Sequence, residues 1–223
     1  MGQGTSAIGV DVGLRVTRRF LVGDAQACAI ALLGVTLARR LPSGLILRGR
    51  IVETEAYVGV RDRASHAFGG RRTPRNEAMY AKPGTAYVYF TYGLHFCFNV
   101  ACAAKGDPQA VLIRAVEPLD RIEEMRRLRG MGATASDRLI ASGPARLCQA
   151  FAIDRELDAV DLVTSDTLWL EPAARSTRPT RRPLRTPRIG VDYAGAWAKR
   201  LLRFVDPTTE HASRSTRPRP KRQ

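Results

Sequence analysis

Three segments of the chain carry apolar residues at helical spacing. Residues 21–41 show this spacing behind Asp24, which predicts a helix with that aspartate as its N-cap. Residues 119–130 form a charged amphipathic pattern with one apolar stripe. Residues 142–153 predict a third helix, with Ser142 as its N-cap.

Other segments alternate between apolar and polar positions, as strands do. Residues 45–59 and 110–118 are rich in β-forming residues and predict strands, and the tyrosine-rich residues 85–99 predict a β-hairpin. Residues 60–84 form a long polar loop, a kind of segment that is usually functional or mobile. Helices and strands mixed in this way predict one α+β domain.

Segments of low hydrophobicity flank this domain on both sides. The domain is expected to span residues 17–205. Residues 1–16 are Gly-rich and predict a flexible leader, and residues 206–223 predict a basic disordered tail. Within the domain, the Pro- and Arg-rich residues 171–188 predict an extended or mobile loop.

The charge balance narrows the class of partner. The chain has 223 residues, with 36 Lys and Arg against 21 Asp and Glu, for a formal net charge of +15. Such a balance indicates a polyanionic partner, most often nucleic acid and less often an anionic membrane. No apolar run approaches transmembrane length, and the four cysteines form neither a C-x-x-C pair nor, with the three histidines, a zinc-binding spacing. Reduced cysteines in an intracellular protein are the simplest interpretation.

One predicted strand carries two carboxylates. In RIVETEAYVG the period of two places Ile51, Glu53, Glu55 and Tyr57 on one face. Side chains two apart on a strand lie roughly 7 Å apart, a separation found for the acid and base of inverting glycosidases. The alternative is a solvated strand face whose carboxylates are neutralised by nearby arginines.

Five segments together resemble the alkyladenine (3-methyladenine) DNA glycosylase family: RGRIVETEAYVG, SHAFGGRRTPRNEAMYAKPGTAYVYFTYGLHFCFNV, VLIRAVEPLD, SGPARLCQAFAI and RIGVDYAGAWAKRLLRF. They follow one another in family order from about Arg18 to Val205. The resemblance implies a single compact domain with a curved antiparallel sheet, flanking helices and a protruding β-hairpin. It also implies a monofunctional hydrolase that flips an alkylated or deaminated purine out of duplex DNA and leaves an abasic site.

The resemblance also implies the chemistry of the site. Glu55 matches the general base that activates the attacking water, and Arg114 matches the arginine that helps to hold that water. A carboxylate can deprotonate water while the sugar gains oxocarbenium character. Glu53 matches the pattern without a comparable catalytic role, and the family uses neither metal nor cofactor. Expected lesions are 3-methyladenine, 7-methylguanine, hypoxanthine and ethenoadenine.

Aromatic and polar residues match the family's base pocket and DNA contacts. Tyr57, His66 and Tyr89 match its aromatic walls, and Asn99 matches the residue that crowds the 2-amino group of guanine. Tyr92 matches the hairpin-tip residue that fills the gap left by the flipped nucleotide. The positions that match DNA-backbone contacts are Arg71, Arg75 and Arg146.

The hairpin register follows from these roles. A two-residue Tyr92–Gly93 turn puts Tyr89 and Asn99 on opposite faces of the hairpin. If both line one pocket, the connection must have an odd length or a bulge nearby.

Several alternatives remain open at this stage. The same scaffold could serve as a non-catalytic module that binds damaged DNA, although the intact Glu55 and Arg114 pair argues against this. The basic tail is either solvated or adds non-specific affinity for DNA. We expect a monomer that acts on double-stranded DNA and binds no membrane, in the cytoplasm or nucleoid of a bacterium or in a eukaryotic nucleus.

Overall fold

The computed structural model describes residues 14–91, 93–132, 134–174, 176 and 178–213. Eight strands and three α-helices are present in this part of the chain. The strands are β1 (Thr36–Arg40), β2 (Ile46–Tyr57), β3 (Ala86–Thr91), β4 (His95–Cys102), β5 (Gln109–Pro118), β6 (Leu168–Glu171), β7 (Leu184–Thr186) and β8 (Arg203–Val205). The α-helices are α1 (Ala25–Ala31), α2 (Ile122–Leu128) and α3 (Pro144–Ala150). Short 3-10 helices span Arg18–Leu21, Gly59–Arg61, Phe68–Gly70, Glu77–Tyr80, Asp137–Leu139, Arg155–Leu157 and Asp192–Lys199.

The strands form one curled antiparallel sheet in the order β3-β4-β5-β2-β1-β6, and β7 joins it through β8. The long strand β2 is its centre. One side of β2 pairs with β5, while the other side pairs first with β1 and then with β8. The predicted α+β class, with one compact domain and a curved antiparallel sheet, is confirmed.

The pairing of β2 with β5 contains two irregularities. The opposed pairs run from Ile51–Val116 to Glu53–Ala115 and then to Thr54–Ile113, so they skip Val52 on β2 and Arg114 on β5. A bulge of this kind breaks the period of two. Ile51 consequently packs in the main hydrophobic core, and the prediction that it shares a face with Glu53 and Glu55 was wrong.

Two helices cover one face of the sheet. Helix α1 lies across β2 and β5, and α3 lies across β4 and β5. The hydroxyl of Thr54 donates to the carbonyl oxygen of Ala29 in α1 at 2.9 Å, so Thr54 points toward this helix. The neighbouring Glu53 and Glu55 therefore project from the other face of β2.

The helix boundaries differ from the sequence-based expectation. Asp24 caps α1 as predicted, accepting from the N–H groups of Gln26 and Ala27. The helix ends at Ala31, and the chain continues into β1, because the apolar run after this point packs as a buried strand. The N-cap of α3 is Gly143 rather than Ser142, whose hydroxyl instead accepts from Arg146.

The predicted loop and tail both contribute ordered residues. Within 171–188, β7 pairs with β8, and Arg188 is buried. Beyond β8, Asp206 and Ser213 are buried as well, because Asp206 pairs with the half-buried Arg50 and Ser213 donates to the buried Glu53. Residues 214–223 and residues 1–13 of the predicted leader lie outside the described residues. No helix that the structure describes is long and apolar enough to cross a membrane.

The contact between the sheet and the end of α3 leaves no room at Gly49. A Cβ atom there would lie 2.8 Å from the ring of Phe151 and 3.0 Å from Cγ2 of Val116. Both neighbours belong to the main core, where packing is dense and adjusts little.

We expect Gly49→Ala to lower the free energy of unfolding by about 1–3 kcal/mol, the usual cost of overpacking a core. Gly132→Ala is the matched control, because no heavy atom lies within 4 Å of the added Cβ. Urea denaturation of both variants measures the difference. Equal stabilities would show that the sheet moves away from α3 at no cost.

Candidate active site

The carboxylate of Glu55 is fully buried, accepts two hydrogen bonds and forms one ion pair. The N–H of Ile189 donates to Oε1 at 2.8 Å, and Nη1 of Arg114 lies 3.2 Å from the same oxygen. The hydroxyl of Tyr57 donates to Oε2 at 3.0 Å. A carboxylate oxygen has about two acceptor sites, so within the described part of the chain the bond from Tyr57 leaves one on Oε2.

Glu53 has different surroundings, although it is equally buried. It pairs with Arg114 at 3.0 Å and with Arg203 at 2.6 Å, and it accepts from the backbone N–H and hydroxyl of Ser213. The alternative of a solvated strand face was therefore wrong, because both carboxylates are buried. Its expectation that nearby arginines neutralise them was right. Because these four donors already occupy its acceptor sites, Glu53 is not available to act as an acid or base beside Glu55.

Arg114 links the two carboxylates. Burial lowers the pKa of Arg114, but the charges of Glu55 and Glu53 more than reverse this, so its pKa lies above the ordinary arginine value. The guanidinium therefore stays charged, and the centre holds two carboxylates and, with Arg203, two cations. This balance makes the burial of all four groups tolerable.

A cavity of about 290 Å³ adjoins this centre. Tyr57 and Arg114, which both contact Glu55, also line the cavity. Its other walls include the remaining predicted base-binding residues, His66, Tyr89 and Asn99. The lining also contains residues that we had not assigned to the pocket: Met79, Tyr87, Cys97, Leu112, Ile189 and Tyr193. The predicted pocket residues thus come together around one cavity.

The hairpin register brings Tyr89 and Asn99 to the same side. Thr91 pairs with His95, which leaves the three residues 92–94 as the connection. Tyr87 then pairs with Asn99 and Tyr89 with Cys97, and all four line the cavity. The odd connection length that these roles require is confirmed.

Tyr87, which we had not assigned to the pocket, supports its aromatic wall. Its hydroxyl lies 2.7 Å from Nδ1 of His66, and the His66 ring meets the Tyr89 ring edge-on at 4.6 Å. Partial desolvation and the positive charges of Arg75 and Arg71 lower the pKa of His66 to about 4. His66 is therefore neutral at pH 7.

Burial also keeps the phenol of Tyr57 protonated. It raises the pKa of the phenol well above the ordinary value, and the charge of Glu55 adds to this effect. Tyr57 therefore remains a donor to Glu55. On its other side the guanidinium of Arg188 lies 4.6 Å from the ring centroid and binds both carboxylate oxygens of Asp62.

Sequence reasoning missed the contributions of Asp62, Arg188 and Ile189. The arginine-rich composition of 171–188 concealed one buried arginine among exposed ones. The Asp62 carboxylate, to which Arg188 binds, gave no distinct signal in a long polar loop. Ile189 acts through its backbone N–H, which no side-chain pattern reveals.

A second cavity of about 320 Å³ shares His66, Tyr87 and Tyr193 with the first. Arg63, Arg71 and Arg75 line it, so cations border the second cavity beside the first. Arg75 also donates to the carbonyl oxygen of Phe90 in the hairpin at 2.7 Å. Arg146 is exposed on α3, whose first residue, Pro144, lines the first cavity.

Two further predictions concern the hairpin tip and metals. Tyr92, the predicted wedge, lies outside the described residues; its neighbour Leu94 is 72% exposed. Among the described residues no group of three or more His, Cys, Asp or Glu side chains is placed to hold a metal ion. The four cysteines are all buried and free of disulfides.

Comparison with known proteins gives consistent matches. A model of the methylpurine-DNA glycosylase family matches residues 19–210. The chain is 48% identical over 198 residues to the human DNA-3-methyladenine glycosylase, across 85% of this chain and 65% of the human protein. It is 46% identical over 196 residues to the mouse DNA-3-methyladenine glycosylase, across 85% of this chain and 58% of the mouse protein.

A bacterial relative matches over most of its length. A putative 3-methyladenine DNA glycosylase of Clostridium botulinum is 45% identical over 186 residues, which cover 81% of this chain and 90% of that protein. The chain spans less than two thirds of the length of the human and mouse relatives.

The surroundings of His66 predict an unusual titration. We expect the imidazole, followed by NMR, to be half protonated near pH 4 rather than near the ordinary value of about 6.5. Arg71→Gln removes one of the cations that act on it and should raise this pKa, whereas Arg19→Gln, at an exposed arginine on another element, should leave it unchanged. A wild-type midpoint near about 6.5 would contradict the structure.

Proposed function

The chain belongs to the methylpurine-DNA glycosylase family, and from this membership we propose that it is a DNA-repair hydrolase that removes damaged purines from duplex DNA. The proposed substrates are 3-methyladenine, 7-methylguanine, hypoxanthine and ethenoadenine, each flipped into the cavity beside Glu55. Water replaces the base at the sugar, so an abasic site remains and the strand stays intact. One chain suffices for this reaction.

The observation that carries the proposal is the remaining acceptor site of Glu55. Two hydrogen bonds and one ion pair hold the carboxylate in place. Tyr57, the donor to Oε2, lines the cavity, so we place the attacking water on Oε2 beside that ring. As the bond to the base breaks, Glu55 takes a proton from this water, and oxygen adds to the sugar. The buried negative charge also stabilises the oxocarbenium-like sugar.

Arg114 supports this step without giving up a proton. Its guanidinium remains charged, contacts Glu55 and faces the cavity. It can therefore hold the water through an N–H donor while it fixes the orientation of the carboxylate. A cationic alkylpurine leaves as a neutral base, so its departure needs no acid. A neutral lesion such as hypoxanthine leaves as an anion and takes up, through solvent, the proton that Glu55 removed from water.

The cavity walls suit a flat purine. Base–aromatic stacking contributes about 1–3 kcal/mol per base, and the rings of Tyr57, His66 and Tyr89 are available for it. Because His66 is uncharged at pH 7, it does not repel a cationic base. Asn99 is fixed by a hydrogen bond from its Nδ2 to the carbonyl oxygen of Tyr87, which supports a steric role against the 2-amino group of guanine.

Base flipping costs a few kcal/mol. We propose that contacts of the hairpin and of the surface cations with DNA offset this cost. Tyr92 fills the space left in the duplex. The exposed residues Arg71, Arg75 and Arg146 bind phosphates on the flanking backbone.

Glu55→Gln tests the proposal directly. It preserves the shape of the side chain but removes the base, so we expect excision to fall below detection while binding to lesion-containing DNA persists. Excision is measured by incubating duplexes that contain hypoxanthine or an alkylated purine and then cleaving abasic sites in hot alkali. Glu123→Gln, whose side chain is 90% exposed, is the matched control and should retain full activity.

Two results would overturn the assignment. Wild-type protein that binds lesions but releases none would favour the non-catalytic binding module. Full activity of Glu55→Gln would remove Glu55 from the role of base.

The basic C-terminal residues 214–223 predict a separate electrostatic effect. They contain five cations: Arg214, Arg217, Arg219, Lys221 and Arg222. We expect their deletion to weaken DNA binding at low salt and to reduce the slope of log affinity against log salt, without changing lesion preference. An unchanged slope would show that these cations do not contact the phosphates.

A further inference from the structure

The C-terminal segment 206–213 is fastened to the sheet at both ends. Asp206 is buried and pairs with Arg50 of β2 at 2.5 Å. Ser213 is buried seven residues later, and its backbone N–H and hydroxyl donate to the two oxygens of Glu53 at 2.5 and 2.7 Å. The segment therefore spans from one charged group of β2 to another.

The contacts of Ser213 converge on the arginine of the candidate active site. Nε of Arg114 donates to Glu53, Nη1 lies beside Glu55, and Nη2 donates to the hydroxyl of Ser213 at 3.4 Å. All three nitrogens of the guanidinium are thus directed by different partners. A planar guanidinium with three fixed contacts has one orientation, which a single ion pair does not impose.

Arg203 completes the arrangement around Glu53. Its Nε donates to Oε1 of Glu53, and its Nη2 donates to the carbonyl oxygen of Ser213 at 3.1 Å. Ser213 therefore contacts all three of Glu53, Arg114 and Arg203. Of these four residues, Arg114 is the one that lines the cavity.

We propose that Ser213 and Glu53 are positioning residues that hold Arg114 against Glu55, so that segment 206–213 forms part of the catalytic apparatus. This inference rests on the proposed glycosylase function. It separates the C-terminal region into two parts with different roles: residues up to Ser213 orient the reaction centre, and residues 214–223 add charge.

The test uses Ser213→Ala in the full chain. We expect the single-turnover excision rate at saturating protein to fall on the order of 10- to 100-fold, because small displacements of positioning groups cost this much. The dissociation constant for lesion-containing duplex should stay within about twofold of wild type, since that serine does not line the cavity. Ser43→Ala, at an exposed turn, is the matched control and should leave both quantities unchanged.

A double-mutant comparison distinguishes positioning from general stability. In an Arg114→Lys background the charge remains but the three-way contact is gone, so Ser213→Ala should have little further effect on the excision rate. Truncation after Pro207 should reduce the excision rate at saturating protein as Ser213→Ala does.

The outcomes separate the two proposals. Wild-type protein that excises no lesion overturns the proposed function, and the positioning role with it. Active wild type together with an equally fast Ser213→Ala variant overturns the positioning role alone. An equal loss from Ser213→Ala in the wild-type and Arg114→Lys backgrounds would also overturn it, because the serine would then act independently of Arg114.

Discussion

The buried charges of Glu53, Glu55, Arg114 and Arg203 constrain this structure more than any other feature. A charge removed from water costs several kcal/mol unless a partner lies in good geometry. Here the two carboxylates come from β2, one arginine from β5 and the other from β8. Three strands must therefore pair in one register before all four groups are compensated, which ties the sheet to the candidate site.

The irregular pairing of β2 and β5 is the local solution to this constraint. Arg114 is the residue that the pairing skips on β5, opposite the step from Glu53 to Thr54. This position lets one guanidinium reach both glutamates, whereas a regular ladder would give it one direct neighbour. The other irregularity, at Val52, returns Ile51 to the core side. Glu55 in turn contacts Tyr57 and Arg114, two side chains that line the cavity.

The sequence predicted the parts of this arrangement that depend on local pattern. The strand with ETEAY, the Asp24 cap and the tyrosine hairpin all follow from period, composition or turn chemistry. The same reasoning wrongly predicted that α1 continues through β1. In a run of apolar residues, the spacing typical of a helix cannot be distinguished from a short buried strand. The odd hairpin connection was predictable only once Tyr89 and Asn99 were assigned to one pocket.

What the sequence concealed depends on distant partners. Ser213 lies in a segment whose composition indicates disorder, yet it is buried because Glu53, 160 residues earlier, accepts from it. Arg188 is a similar case, since only the fold reveals that it forms an ion pair with Asp62. Composition measures how much apolar surface a segment can bury, but it does not detect one polar residue that satisfies a buried charge elsewhere.

Charge has two separate roles in this molecule. The four buried groups of the centre cancel, so the net charge of +15 resides outside it. Exposed cations act over about 10 Å and are screened by salt, whereas the buried pairs are screened far less. The two regions meet at His66, where the fields of Arg75 and Arg71 help to keep the imidazole neutral. The positive surface that would attract a polyanion therefore also removes a positive charge from the cavity wall. Under the proposed function, a cationic base would meet aromatic rings there instead of an imidazolium.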